Sequence, residues 1–350
     1  MRGIYQGWTG WRNLGDEAMF ESCRRALPHI EWTARPPFDA HGPARAGRAR
    51  ASWRRRVERL FGTGPALLGG GTLINRVPEW LDEYRHLKRA ARRPVPVFSP
   101  GVANPAYWSR TAGWRDMRSA WREALADLPE VGVRGPISKR LLDEVGVRNV
   151  RVTGDPALVF HRRPRQAAGG FRRIAMNVGR AGGQVWGDED RLIAVLVATA
   201  RCLTASGFDV RVFPVWDRDE PACREVAVAA GLPPGSVDAL LLDPDAFIDY
   251  LHGFDVVVAV KLHAAVLAAA AGVPFVAVEY RPKVRDFAES IGAVAQTFRS
   301  SEIEFDELAR AVLRVYGDLS AVRERLDARV AELSETFREY AHRVERELLS

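Results

Sequence analysis

Short β-branched or apolar runs alternate with stretches of helical spacing from the first residues to about residue 300. The runs Arg2–Gly7, Ala66–Gly69, Pro94–Ser99, Glu130–Val133, Val150–Thr153, Arg173–Val178, Asp209–Pro214, Asp255–Val260 and Pro274–Glu279 read as strands. Between them Asp16–Ala26, Pro136–Glu144, Asp188–Ser206, Pro221–Ala230, His263–Ala271 and Lys283–Ile291 carry helical patterns. Runs as apolar as Asp255-Val256-Val257-Val258-Ala259-Val260 suit strands covered on both faces, hence parallel ones. Alternation of this kind predicts an α/β fold of βαβ units with doubly wound sheets.

The basic, proline-broken stretch His161–Gly170 separates two α/β halves of similar size. Beyond Ser300 the pattern is helical only, from Glu302 to Leu349. The expected division is therefore a first domain over 1–163, a second over 164–300, and a C-terminal helical segment over 301–350.

Ligands of open parallel sheets bind beyond the carboxyl ends of the strands. Glycine or polar clusters stand at most of these ends. The first strand runs into Asn13-Leu14-Gly15-Asp16-Glu17, where glycine permits close backbone approach and a helix N-terminus follows. The pattern is neither GxGxxG nor a Walker loop, and Asp16 also suits a helix cap. Gly69-Gly70-Gly71-Thr72 fits substrate approach or a tight turn equally well. Ser99-Pro100-Gly101, Arg134-Gly135-Pro136 and Gly154-Asp155-Pro156 follow, then Lys261-Leu262-His263 and Tyr280-Arg281-Pro282-Lys283. Arg134, Lys261, Arg281 and Lys283 could grip a small multiply charged anion, with His263 exchanging protons near neutral pH.

At 350 residues, 47% hydrophobic and 27% charged, the chain has ordinary globular composition, which excludes disordered and fibrous classes. The net charge of +7 favours anionic partners. Four of the 51 basic residues are lysines, so a lysine beside a motif stands out against an arginine background. The arginine-dense stretch Arg35–Arg59 reads as a solvated insertion; a contact with phosphate or with the inner membrane face is left open. Three scattered cysteines suggest neither disulfides nor zinc, and no metal is expected. With no secretory signal or membrane-length apolar run, a cytoplasmic location is expected, and nucleic acid is not an expected partner.

Taken in order, Asn13–Ala18, Gly69–Ile74, Ser99–Gly101, Val133–Ser138, Gly154–Leu158, Lys261–Ala264 and Gly272–Val284 resemble the polysaccharide pyruvyl transferases. That resemblance spans about residues 1 to 292. It implies two Rossmann-like domains in a GT-B-like arrangement facing a central cleft. It also implies transfer of pyruvate from phosphoenolpyruvate to two hydroxyls of a sugar, with release of phosphate and no cofactor. The family's active-site arginine, histidine and lysine would fall on Arg134, His263 and Lys283. Asn13, Gly15, Asp16, Gly70, Gly71, Asp155, Lys261 and Arg281 are the expected substrate-binding positions.

Two positions depart from the family pattern: Gly135, where aspartate is frequent, and Lys261, where arginine is common. The second keeps the charge and loses the bidentate fork. The acceptor is expected to be a sugar in a glycan or glycoconjugate, lipid-linked acceptors included. The alternative is a GT-B glycosyltransferase that uses a nucleotide sugar.

Overall fold

The computed structural model describes residues 1–35, 54–58, 60, 62–163 and 172–350. The chain forms two compact units. One comprises Met1–Trp11, Met19–Val159 and Glu335–Ser350; the other comprises Arg12–Ala18 and Phe160–Ser334. Residues Arg12–Ala18 thus go with the second unit although they lie early in the chain. The C-terminal helical segment 301–350 is shared between the two, through Ser334 with the second unit and Glu335–Ser350 with the first. Of the expected linker His161–Gly170, residues 164–170 lie outside the described residues.

In the first unit β1 (Arg2–Gln6) is central, with β2 (Glu31–Arg35) on one side and β3 (Ala66–Leu68) on the other, all parallel. Two further parallel pairs follow, β4 (Thr72–Ile74) with β5 (Gly101–Val102) and β6 (Val131–Val133) with β7 (Val150–Val152). The expected strand Pro94–Ser99 contributes only an isolated bridge, Leu68 with Val97. Pro94 and Pro96 lack the N–H groups that a ladder needs, so Leu68 N–H reaches the Pro96 carbonyl at 2.9 Å and Phe98 N–H reaches that of Leu68 at 2.7 Å. Helix Pro78–Ala91 buries Trp80, Tyr84 and Leu87 along one face. The end of the last helix closes the other side, with Phe337 edge-on to Phe98 at 4.9 Å.

Part of the arginine-dense stretch is described; Arg56 there is exposed, as a solvated face requires, whereas Arg35 is buried and Arg54 and Arg55 are half-buried. Arg35 pairs with Glu58, and Arg54 and Arg55 pair with the buried Glu83. His86, also buried, meets Glu58 at 2.7 Å. The carboxylates of Glu58 and Glu83 draw these arginines inward. Residues 36–53 lie outside the described residues.

The second unit is built on five strands: β8 (Arg173–Asn177), β9 (Asp209–Phe213), β10 (Val256–Ala259), β11 (Phe275–Glu279) and β12 (Thr297–Arg299). They form one all-parallel sheet in the order β12-β11-β10-β8-β9. The strand order reverses between β8 and β10, the place where open sheets bind ligands. Helix Leu262–Ala270 is apolar nearly all round and buried apart from His263, as suits an element packed on every side. Among the described residues no helix is long and apolar enough to cross a membrane.

Candidate functional site

Each unit gathers its motifs at the carboxyl ends of its strands. In the second unit, Asn177 at the end of β8 is fully buried and spans the switch point. Its Nδ2 donates to the Phe213 carbonyl at 3.1 Å, and its Oδ1 accepts from the Lys261 N–H at 2.8 Å. That bond fixes the turn from which helix Leu262–Ala270 starts. Lys261 Nζ turns back into the protein, donating to the Arg180 carbonyl at 2.6 Å and pairing with Asp219 Oδ1 at 3.2 Å. Asp219 is fully buried, and burial pushes its carboxyl from 3.8 up to about 6, with Lys261 pulling the other way. A side chain at Gly179 would overlap both partners, so glycine there leaves the pair its room.

His263 lies in the first turn of that helix. The residue it meets is Gly15: a Cβ built there would fall on the imidazole Nδ1 and Cγ. Gly15 belongs to the turn Asn13–Glu17, which packs with this unit. Asn13 caps the helix Leu14–Ala26, accepting the Gly15 N–H on Oδ1 at 3.0 Å and the Glu17 N–H on its carbonyl at 3.1 Å. It also bridges Trp216, while Leu14 N–H donates to Val215 at 2.9 Å. Asn13 therefore takes the cap for which Asp16 was a candidate. Asp16 sits in the first turn instead; burial pushes its carboxyl from 3.8 up to about 7, against the pull of Lys283 and with Glu17 adding to the rise.

The neighbouring strand end carries Tyr280, Arg281 and Lys283, since β10 and β11 pair in parallel. Lys283 Nζ lies 5.2 Å from the Tyr280 ring centre. Burial lowers its amine below the ordinary lysine value of 10.5, and Arg281 and Lys261 add to the drop against Tyr280. Arg281 is engaged in bracing a loop: its Nε donates to the Gln184 carbonyl at 2.7 Å and its Nη2 to Gln184 Oε1 at 3.0 Å. Of the expected anion-gripping cations in this unit, Lys261 and Arg281 thus hold protein partners, and Lys283 is the one associated with Asp16 and Tyr280.

In the first unit the motifs converge on Arg134, which is 1% exposed at the tip of β6. Its Nη2 donates to Thr72 Oγ1 at 3.3 Å. Gly101 lies against the guanidinium so closely that a Cβ there would overlap Nη2. Gly71 has a left-handed φ of 102° that favours glycine, and its carbonyl accepts the Gly101 N–H at 2.7 Å. Gly70 donates its N–H to the Tyr5 hydroxyl at 3.2 Å and leaves space for the Met19 methyl. Asp155 is fully buried, and its Oδ1 accepts the Ala157 N–H at 3.0 Å, capping the short helical turn Pro156–Phe160. Among the described residues no group of three or more His, Cys, Asp or Glu side chains is placed to hold a metal.

A family model for polysaccharide pyruvyl transferase matches residues 13–282. The chain belongs to that family. It is accordingly a transferase enzyme, and the family implies a sugar or glycan acceptor. The match starts at Asn13 and ends at Pro282, so it takes in Arg134 and His263 and stops one residue short of Lys283. No curated protein matches the chain at a significant level.

Solved structures share the fold. The S. aureus MnaA–UDP co-structure is 12% identical with a TM-score of 0.62, covering 93% of this chain and 91% of that one. The Methanocaldococcus jannaschii UDP-GlcNAc 2-epimerase in complex with UDP-GlcNAc and UDP is 11% identical with a TM-score of 0.56, covering 90% and 93%. A mutant of the Thermobaculum terrenum O-GlcNAc transferase is 14% identical with a TM-score of 0.51, covering 99% of this chain and 67% of that one. These likenesses establish the GT-B glycosyltransferase and epimerase fold for this member of the family.

Sequence reasoning missed Asn177 and Asp219 as members of the cluster, and quoted Tyr280 only as part of a strand-end motif. Asn177 ends a strand at the switch point and could have been found by position. Asp219 carries no such signal, because its role depends on a lysine 42 positions later in the chain.

Proposed function

We propose that the chain transfers pyruvate from phosphoenolpyruvate to two hydroxyls of one sugar in a glycan or glycoconjugate, forming a ketal and releasing phosphate. The observation that carries this reading is the second unit's cluster at the ends of β10 and β11. A histidine seated against Gly15 lies two residues from a buried Lys261–Asp219 pair, and the neighbouring strand end supplies Lys283. The family match supports the same chemistry.

In this reading Lys283 meets a phosphate or carboxylate oxygen of the donor, and its desolvated ammonium interacts more strongly there than it would in water. His263 moves the proton. One acceptor hydroxyl adds its oxygen to C2 of the enol, the C2–C3 double bond is lost, and C3 gains a proton. The second hydroxyl then adds at C2, phosphate leaves, and the ketal closes. Within the first unit Arg134 is assigned to negative charge on a substrate, as a buried arginine suits a planar anionic group. Asn13 and Gly15 shape the histidine's surroundings, and Asp16 tunes the charge at Lys283. Gly70 and Gly71 are assigned to backbone approach of a substrate in the first unit, where Asp155 holds a turn.

The alternative donor is a nucleotide sugar, the kind of ligand named for the epimerase neighbour. Thermal shift separates the two: a ligand that binds the folded state raises the melting temperature with its concentration. Phosphoenolpyruvate should raise it, and UDP-sugars should not. The reverse pattern contradicts the reading.

A further inference from the structure

Gln6 ends β1, the central strand of the first unit's sheet, and has no part in the chemistry above. It is fully buried, and among the described residues neither its Nε2 nor its Oε1 has a hydrogen-bond partner. An unpaired amide in a protein interior is costly and rare, so it needs a reason. The register sets Arg35 of β2 directly opposite, and side chains in register on parallel neighbours project to one face. Ile4 and Trp8 lie on that face, packed on the core that holds Trp80, whereas Tyr5 packs on the other side with Phe98 and Phe337. Arg35 is 9% exposed. Its Nη2 pairs with Glu58, but its buried Nη1 has no hydrogen-bond partner among the described residues. Glu83, the other carboxylate close by, is taken by Arg54 and Arg55.

Two residues beyond Gln6, the Trp8 indole is half-buried, edge-on to Trp80 at 5.6 Å and to the half-buried Trp11 at 6.1 Å. A Cβ built at Gly71 would stand 3.8 Å from Trp8 Cδ1, so the indole lies beside a glycine assigned above to substrate approach. Gly10, between the two indoles, is exposed with open space where a side chain would stand.

We infer that Gln6, Arg35 and Trp8 form the subsite for one sugar ring of the acceptor. A pyranose has an apolar C–H face, which suits an indole, and hydroxyls that both donate and accept, as the Gln6 amide does. The Trp8 indole takes the C–H face. One ring hydroxyl donates to Gln6 Oε1, and its neighbour accepts from Gln6 Nε2 and Arg35 Nη1. A phosphate or carboxylate suits this set less well, because the amide oxygen and the indole face both repel negative charge. Gln6 and Arg35 have long side chains, and a rotamer change brings their tips to the ring. The inference rests on the glycan acceptor of the proposed function and not on its donor.

The probes are the neutral methyl glycosides of glucose, galactose, mannose and N-acetylglucosamine, followed by saturation-transfer NMR with the full chain. They carry no phosphate, so the cations of the second unit cannot imitate the result. In wild type at least one glycoside should receive saturation at its ring C–H protons. Trp8→Leu, which keeps an apolar side chain, should weaken that glycoside about tenfold, and Trp8→Phe should weaken it less. Gln6→Leu should also weaken it about tenfold and raise the melting temperature, because leucine leaves no buried amide unpaired. A glutamine kept only for folding would lower the melting temperature on replacement and leave the sugar alone. Lack of saturation in all four glycosides, or equal binding by wild type and either leucine variant, overturns the inference. If phosphoenolpyruvate raises the melting temperature while no glycoside binds, the subsite falls and the donor reading stands. Glycoside binding of the expected pattern without any response to phosphoenolpyruvate does the reverse.

Discussion

Adding one methyl group at Gly15 tests the histidine assignment without touching the histidine. The Cβ of Gly15→Ala would fall on Nδ1 and Cγ of His263, and these are the nearest side-chain atoms it meets. Gly15 is not among the glycines with left-handed φ, so alanine imposes no backbone strain. Alanine also favours the helix Leu14–Ala26 by up to about 1 kcal/mol over glycine. Overpacking opposes this with about 1–3 kcal/mol. The net loss of stability is therefore expected between about 0 and 3 kcal/mol, too small to unfold a typical domain.

Turnover should respond far more. Moving a proton-transferring group by about 1 Å costs on the order of a hundredfold in rate. The assay is phosphate release from phosphoenolpyruvate with a competent acceptor, beside thermal unfolding of the same preparation. Because the methyl acts through the imidazole, Gly15→Ala combined with His263→Ala should be little slower than His263→Ala alone. Near wild-type turnover in Gly15→Ala, or fully additive losses in the double variant, would refute the assignment of His263.

Gly101→Ala should displace the Arg134 guanidinium and destabilise the first unit by about 1–3 kcal/mol. Adding Arg134→Lys should recover part of the melting temperature but not the phosphate release, because lysine fits the smaller space without the planar fork. For Asp219 the raised value means that the folded state binds the proton more tightly than the unfolded state, so its contribution to stability falls as pH rises from 3.8 to about 6. At about 1.4 kcal/mol per unit, the wild-type advantage over Asp219→Asn should shrink by at most about 3 kcal/mol across that window in denaturant melts. A constant difference between the two proteins would contradict the buried-carboxylate account.

Much of the second unit was legible because its strands are continuously apolar. Val256–Ala259 and Phe275–Glu279 lie where the pattern placed them, and their ends bring the Lys261–His263 and Tyr280–Lys283 motifs side by side. The first unit was harder to read. Its β2, Glu31–Arg35, carries Glu31, Thr33 and Arg35 among its five residues, so no apolar run marks it. Pro94 and Pro96 interrupt a stretch that hydrophobicity alone presents as a strand. Helix Pro78–Ala91 was detectable, since Trp80, Tyr84, Leu87 and Ala91 recur at helical spacing behind a proline suited to the first turn.

The site shows the same divide. Glycines and cations at strand ends could be nominated from position, but their partners could not. Local spacing does not show that Gly15 would pack with the second unit and meet His263, or that Asp219 would occupy Lys261. Nor does it show that Arg281 would be spent on the Gln184 loop. Those relations arise from packing between segments far apart in the chain, where charge and shape decide and local pattern carries no trace.

The transfer itself is the most direct test of the whole account. The full chain is incubated with phosphoenolpyruvate and a panel of glycan acceptors, with phosphate followed in solution and the acceptor examined by mass spectrometry and NMR. The expected product is an acceptor carrying one pyruvate ketal across two hydroxyls, formed in step with phosphate. Consumption of a nucleotide sugar under matched conditions, with phosphoenolpyruvate left intact, would contradict it.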